Sequence, residues 1–111
     1  MIVKTGWSRF WHNAKQYRNH YQFPSISKEA AEFLLVRNVV GLGIDTLSPD
    51  RLDSAFPVHN LFLGVGKYLL ENLLIPDTIA AIGLWAHVMP LKIKGATEAP
   101  CRVFIIQKLG K

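Results

Sequence analysis

His59 and Glu71 lie twelve residues apart in the mostly apolar stretch FPVHNLFLGVGKYLLENL, residues 56–73. An imidazole nitrogen and a carboxylate oxygen make a suitable pair of ligands for a divalent metal ion. No regular element brings them together at this spacing. In one straight helix, twelve residues correspond to ~18 Å along the axis and ~120° around it. In one strand each residue advances ~3.3 Å, so the gap is wider still. The two groups share a ligand only if the chain turns back between them. Gly64-Val65-Gly66 permits that turn, because glycine readily ends a helix in the left-handed conformation. Pro57 is therefore read as the first residue of a short helix with His59 in its opening turn, and residues 68–73 as extended chain. The competing reading makes His59, beside Asn60 at a helix start, a capping or surface group, with Glu71 facing solvent.

Other reactive residues are fewer. Cys101 is the single cysteine, so neither an intrachain disulfide nor a cysteine-based zinc knuckle can form. Its neighbours, Ala-Pro and Arg-Val, suit the start of a strand. His12 and His20 fall in an irregular segment and are expected to face solvent, and His87 falls in a strand pattern on one sheet face. Asp45-Thr46-Leu47-Ser48-Pro49-Asp50 follows an apolar run. It lies where α/β sheets often bind ligands, at the carboxyl end of a strand. Asp45 and Thr46 can equally end the strand by bonding to local backbone.

Composition sets the outer bounds. The 111 residues are 50% hydrophobic and 19% charged, which describes a globular chain with a small core and fits one domain, residues 1–111. No run approaches the ~18 uncharged apolar residues of a membrane span, and the first six residues are too short for a signal peptide. The expectation is a cytoplasmic protein with no membrane partner. The net charge of +5 raises the question of nucleic acid. Arg9, Lys15 and Arg18 interleave with Trp7, Phe10, Trp11, Tyr17 and Tyr21, as in single-strand binding grooves. The basic residues are otherwise scattered and no nucleic-acid-binding motif accompanies them, so no nucleic-acid partner is expected.

The elements follow from pattern. Residues 1–6 suit a strand, and residues 7–23 a loop with one helical turn. Such a long loop is more often functional than idle. Ser25 or Ser27 caps a helix over residues 28–37, with Phe33, Leu34 and Leu35 inward and Asn38 as its stop. Residues 39–45 form a buried strand whose glycines admit a close neighbour. A turn and short helix are expected over residues 75–81, then strands over 84–91 and 102–106 separated by a turn-rich loop. The fold class is mixed α/β, with a mixed sheet and a few helices.

Several pieces in this order carry a family resemblance. They are Thr5-Gly6-Trp7, Val40-Gly41-Leu42-Gly43-Ile44-Asp45-Thr46-Leu47-Ser48-Pro49-Asp50, His59-Asn60-Leu61-Phe62-Leu63-Gly64, Leu70-Glu71-Asn72-Leu73, Pro90-Leu91-Lys92-Ile93 and Ala99-Pro100-Cys101-Arg102-Val103. Together they resemble the carboxy-terminal half of the putative cyclase family, which includes kynurenine formamidase and isatin hydrolase. The resemblance implies a swivelling β/β/α fold and a metal-dependent hydrolase of amide or lactam C–N bonds, of arylformamidase type. It also implies zinc or manganese as cofactor and assembly as a homo-oligomer. His59 and Glu71 stand where two of the family's metal ligands would be, and Trp7 and Trp11 are candidates to line a pocket for an aryl amide or lactam substrate. The family's first motif, His-x-Gly-Thr-His-x-Asp, does not occur in these residues. That leaves a partial cyclase-like domain, truncated and inactive alone. Its alternative is a non-catalytic binding or assembly module that keeps the scaffold.

Overall fold

Ser27 sets the start of α2 (Lys28–Val36): its hydroxyl accepts from the Ala30 N–H at 3.2 Å, satisfying a donor that the helix itself cannot. In this computed structural model, residues 1–107 are described, and they fall into two compact units divided after Ile75. Each is described by itself.

The first unit is built on a three-stranded parallel sheet in the order β1-β2-β3, with β1 (Ile2–Val3), β2 (Gly41–Ile44) and β3 (Tyr68–Leu70). The central strand β2 pairs on both sides and is buried along its whole length, as its continuous apolar sequence requires. Helices α2 and α3 (Pro57–Leu63) pack on this sheet through a core of Ala31, Leu34, Leu42, Val58 and Phe62. The glycines of β2 make room for side chains rather than backbone. A Cβ at Gly41 would overlap the Tyr68 ring, and one at Gly43 would lie 2.8 Å from Leu73 Cδ1.

Three expectations need correction. Residues 7–21 are more ordered than a loop with one helical turn. They hold a 3-10 turn (Trp7–Phe10), the helix α1 (Ala14–Arg18) capped by the Asn13 side chain, and a second 3-10 turn (Asn19–Tyr21). Phe33 is not inward but 57% exposed, with the Arg37 guanidinium 4.7 Å above its ring. Consecutive helix positions are ~100° apart, so three in a row cannot all meet one core. Leu34 is buried in the core and Leu35, partly buried, packs against it. Residues 75–81 make only a turn.

The second unit is an antiparallel ribbon of β4 (Leu84–Pro90) and β5 (Cys101–Gln107), paired from Leu84↔Gln107 to Pro90↔Cys101. Parallel and antiparallel pairing are thus segregated into two sheets of a mixed α/β fold, rather than combined in one mixed sheet. Strand alternation places Leu84, Ala86, Val88, Val103 and Ile105 on one face. Trp85, His87, Met89, Arg102, Phe104 and Ile106 occupy the other, where the His87 ring stacks on Phe104 at 4.9 Å. Cys101 opens β5 with its side chain exposed. Among the described residues, no helix is long and apolar enough to cross a membrane.

The reversal between His59 and Glu71 has a specific form. Helix α3 ends in a Schellman motif, in which the Lys67 N–H donates to the Phe62 carbonyl and the Gly66 N–H to the Leu63 carbonyl, each at 3.0 Å. Gly66 supplies the left-handed residue the motif needs, with φ +72°. A Cβ there would meet nothing within 4 Å, so the cost of a side chain is purely conformational. Gly66→Ala should lower stability by ~1–2 kcal/mol, and Gly66→Asn by less, because Asn tolerates this conformation. Urea unfolding measures both, and an unchanged midpoint for Gly66→Ala would contradict this account of the turn.

Candidate metal centre

The Schellman turn hands the chain to β3, which runs parallel to β2 and ends at Leu70, so that Glu71 emerges at the carboxyl end of the sheet. Two hydrogen bonds then hold the chain to β2, from Asn72 N–H to the Thr46 carbonyl at 2.8 Å and from Leu73 N–H to the Ile44 carbonyl at 3.1 Å. On the other side of the turn, His59 sits in the first turn of α3. The result is that His59 Nε2 and Glu71 Oε1 stand 3.3 Å apart. Both side chains are partly buried, and Glu71 Oε1 itself is shut off from solvent.

Asp50 orients the pair. It is only 2% exposed and accepts three N–H groups: Val58 N at 3.0 Å, His59 N at 2.9 Å and His59 Nδ1 at 2.7 Å. The first two are orphan donors of the α3 amino terminus. The residue at the cap position, Phe56, offers no side-chain acceptor, and Asp50 does that work from six residues upstream. A carboxylate favours the positive end of a helix for the same reason. The third bond fixes the ring. With Asp50 as acceptor, Nδ1 carries the proton, so the neutral imidazole keeps its lone pair on Nε2. That lone pair faces a carboxylate oxygen. Two acceptors at this distance repel unless a cation, either a proton or a metal ion, lies between or beside them. Carboxylate–histidine pairs of this kind hold histidine ligands in metal sites.

Phe56 completes the wall on the α3 side. It adopts φ +50° although it is neither glycine nor asparagine, and its ring stands edge-on to the His59 ring at 5.8 Å. Backbone strain of this sort, costing on the order of 1–3 kcal/mol, tends to collect at functional sites.

Asp45 does more than end its strand through local backbone. It is fully buried and accepts from the Thr5 N–H at 2.8 Å, the Thr5 hydroxyl at 2.7 Å, and the Ser8 N–H and hydroxyl at 3.3 Å. These partners are distant in sequence, so Asp45 staples the segment after β1 to the end of β2. Burial pushes its carboxyl up, but the bonds from Thr5 and Ser8 outweigh that and hold it below the ordinary value. Its contribution to stability is therefore present above pH 3.8, its value when unfolded, and is lost as pH falls through the lower folded value.

Trp7 and Trp11 fare differently. Trp7 is half-buried, donates from Nε1 to the Tyr17 carbonyl at 2.9 Å, and lines an open groove of about 880 Å³ together with Tyr21, Phe23 and Arg51. Trp11 packs edge-on against Tyr17 and is not among the residues of that groove. His12 and His20 are exposed. Among the described residues, no group of three or more His, Cys, Asp or Glu side chains is arranged to hold a metal ion.

Sequence reasoning did not assign Asp50 a role. Its signal was available as an acidic residue just upstream of a Pro-initiated helix whose cap position is a phenylalanine. Asp50→Asn keeps the shape but replaces one acceptor oxygen with a donor. Ring ¹⁵N spectra of the native protein should show His59 protonated at Nδ1, as its bond to Asp50 requires. In Asp50→Asn that preference should weaken, with a stability loss of about 1–3 kcal/mol. Nε2-protonated His59 in the native chain would contradict the assignment.

Comparisons with known proteins bear on the fold and the family resemblance. A family model described as putative cyclase matches residues 1–51, which include Asp45 and Asp50. An isatin hydrolase from Roseibium aggregatum is 26% identical over 117 residues, covering 96% of this chain and 44% of that protein. The crystal structure of an isatin hydrolase bound to the product analogue thioisatinate superposes with a TM-score of 0.86 at 25% identity, over 96% of this chain and 45% of that one. A structure described as a predicted metal-dependent hydrolase from Bacillus stearothermophilus gives a TM-score of 0.67 at 30% identity, over 78% of this chain and 42% of that one. The chain thus spans under half the length of the relatives it matches. The resemblance read from the sequence is borne out: residues 1–51 match the putative cyclase model, and the fold is similar to part of an isatin hydrolase.

Proposed function

We propose that this chain supplies the His59–Glu71 side of a divalent-metal site in a hydrolase that opens amide or lactam C–N bonds, of arylformamidase type. The observation that carries the proposal is His59 Nε2 set 3.3 Å from a shielded Glu71 oxygen while its Nδ1 is bonded to Asp50. His59 Nε2 and Glu71 would hold the metal, zinc or manganese. The chemistry such a cation supplies is polarisation of a carbonyl and acidification of water. Catalytic sites commonly use three protein ligands. Among the described residues only two converge, so the chain by itself is expected to be inactive and to need ligands from elsewhere. Asp50 keeps the ring of His59 in place, and Glu71 contributes the negative charge that retains the cation. Trp7, which lines the open groove with Tyr21 and Phe23, would meet an aryl substrate. Cytoplasmic residence suits a chain whose one cysteine is an exposed thiol.

Calorimetric titration with zinc or manganese tests the proposal. One equivalent should bind, and His59→Ala or Glu71→Ala should each weaken binding by more than ~100-fold, since loss of an outer-shell partner alone commonly costs 10–100-fold. Heat that is absent, or that survives both substitutions, would favour the second reading, a non-catalytic assembly module that keeps the scaffold.

The ribbon of the second unit favours assembly in either case. Trp85 is 76% exposed, and Met89, Phe104 and Ile106 share its face. Apolar patches of this kind mark interaction surfaces, and a two-stranded ribbon is marginal by itself. Homo-oligomers are expected. Light scattering at micromolar concentration should report a mass above the 12.5 kDa of one chain; a strictly monomeric mass would count against it.

A further inference from the structure

Tyr17 is the one buried aromatic residue that α1 contributes, and it is 8% exposed. Its hydroxyl lies 3.3 Å from the Asp45 carbonyl oxygen and 3.1 Å from the Asn72 side-chain oxygen. A phenol has a single proton, so it cannot donate fully to both. The oxygen and nitrogen of an asparagine side chain are assigned from their surroundings. If the Asn72 amide turns its NH₂ to the phenol, every group is satisfied: Asn72 donates to Tyr17, and Tyr17 donates to Asp45. Asn72 is also the residue after Glu71, and it holds a left-handed conformation at φ +56°. Its backbone N–H is already fixed on the Thr46 carbonyl. The phenol fixes its side chain from the opposite element.

We infer that Tyr17 is a positioning residue for Glu71, its hydroxyl tying the Asn72 amide to the Asp45 carbonyl and so holding the left-handed corner from which Glu71 reaches His59. This rests on the proposed metal site and extends it to a residue that touches neither ligand. The placement of Tyr17 is itself well braced. Its carbonyl accepts from the Trp7 indole, and its ring takes the edge of Trp11. Burial pushes the Tyr17 phenol up to about 12, with the charges of Asp45 and Glu71 adding to the effect. At neutral pH it is therefore a donor and not a base. The two tryptophans that the sequence offers as pocket residues thus act partly through this strut.

Two measurements on the 111-residue chain test the inference. In metal-free protein, Tyr17→Phe should move the ring ¹⁵N resonances of His59 in the same direction as Glu71→Gln does, although Tyr17 does not contact His59. In manganese titrations, Tyr17→Phe should weaken binding ~10-fold, the lower end of outer-shell effects. Asn72→Gly keeps the left-handed backbone but removes the amide, and it should weaken binding similarly. The double variant should be no worse than either single one, because one strut is removed in each. His59 resonances that move in Glu71→Gln but not in Tyr17→Phe would overturn the inference, as would additive losses in the double variant. Resonances unmoved by Glu71→Gln would instead sink the His59–Glu71 site, and the inference with it.

Discussion

The buried carboxylate of Asp50 is the constraint on which the site depends. A carboxylate this inaccessible is costly unless it is fully hydrogen-bonded, and the chain satisfies it with two N–H groups of the α3 amino terminus and the Nδ1–H of His59. The same three bonds therefore solve two problems. They cap a seven-residue helix whose cap position is a strained phenylalanine, and they aim an imidazole. Removing the acid would leave donors unpaired at one end and a ring free to choose its tautomer at the other. Helix stability and ligand geometry are thus coupled through one side chain.

The partner of that imidazole is delivered by backbone hydrogen bonds, to which the Tyr17–Asn72 side-chain contact adds. The Schellman turn at Gly66 reverses the chain, β3 aligns it beside β2, and the bonds from Asn72 and Leu73 to Thr46 and Ile44 carry the pairing past the end of the strand. Glu71 then projects from a segment fixed on both sides. The aromatic segment of residues 7–21 closes over the same strand end through Asp45 and Tyr17. Parallel sheets gather their functional groups at the carboxyl ends of strands, and three separate segments meet there: the end of β2, the start of α3 and the end of β3.

Much of this was legible in the sequence, for local reasons. Ser25 or Ser27 and Asn38 marked the ends of α2, the β-branched and glycine-rich run marked β2, and the paired glycines marked the turn between His59 and Glu71. What was not legible depends on distant partners. Asp45 looked like a local strand terminator because its acceptors' donors, Thr5 and Ser8, lie 40 and 37 residues away. Asp50 showed no role because its partners belong to a helix that begins only after an irregular loop. The segment of residues 7–21 read as loop because its apolar residues have no helical period. It is made of three short helical pieces, the third of which, Asn19–Tyr21, has positive φ at every residue.

Net charge was the least informative property. A chain of +5 invites anionic partners, yet the groups gathered at the carboxyl end of the sheet are Asp45, Asp50 and Glu71, with His59 among them. Exposed lysines and arginines are screened by solvent and salt over ~10 Å. Carboxylates withdrawn from water are screened much less, so a few of them govern the field at one point against a larger number of surface cations. Asp45 is stabilised by hydrogen bonds from four groups and Asp50 by three, while Glu71 faces Nε2 of His59. Glu71, beside His59 Nε2, is the carboxylate on which the proposed cation site rests.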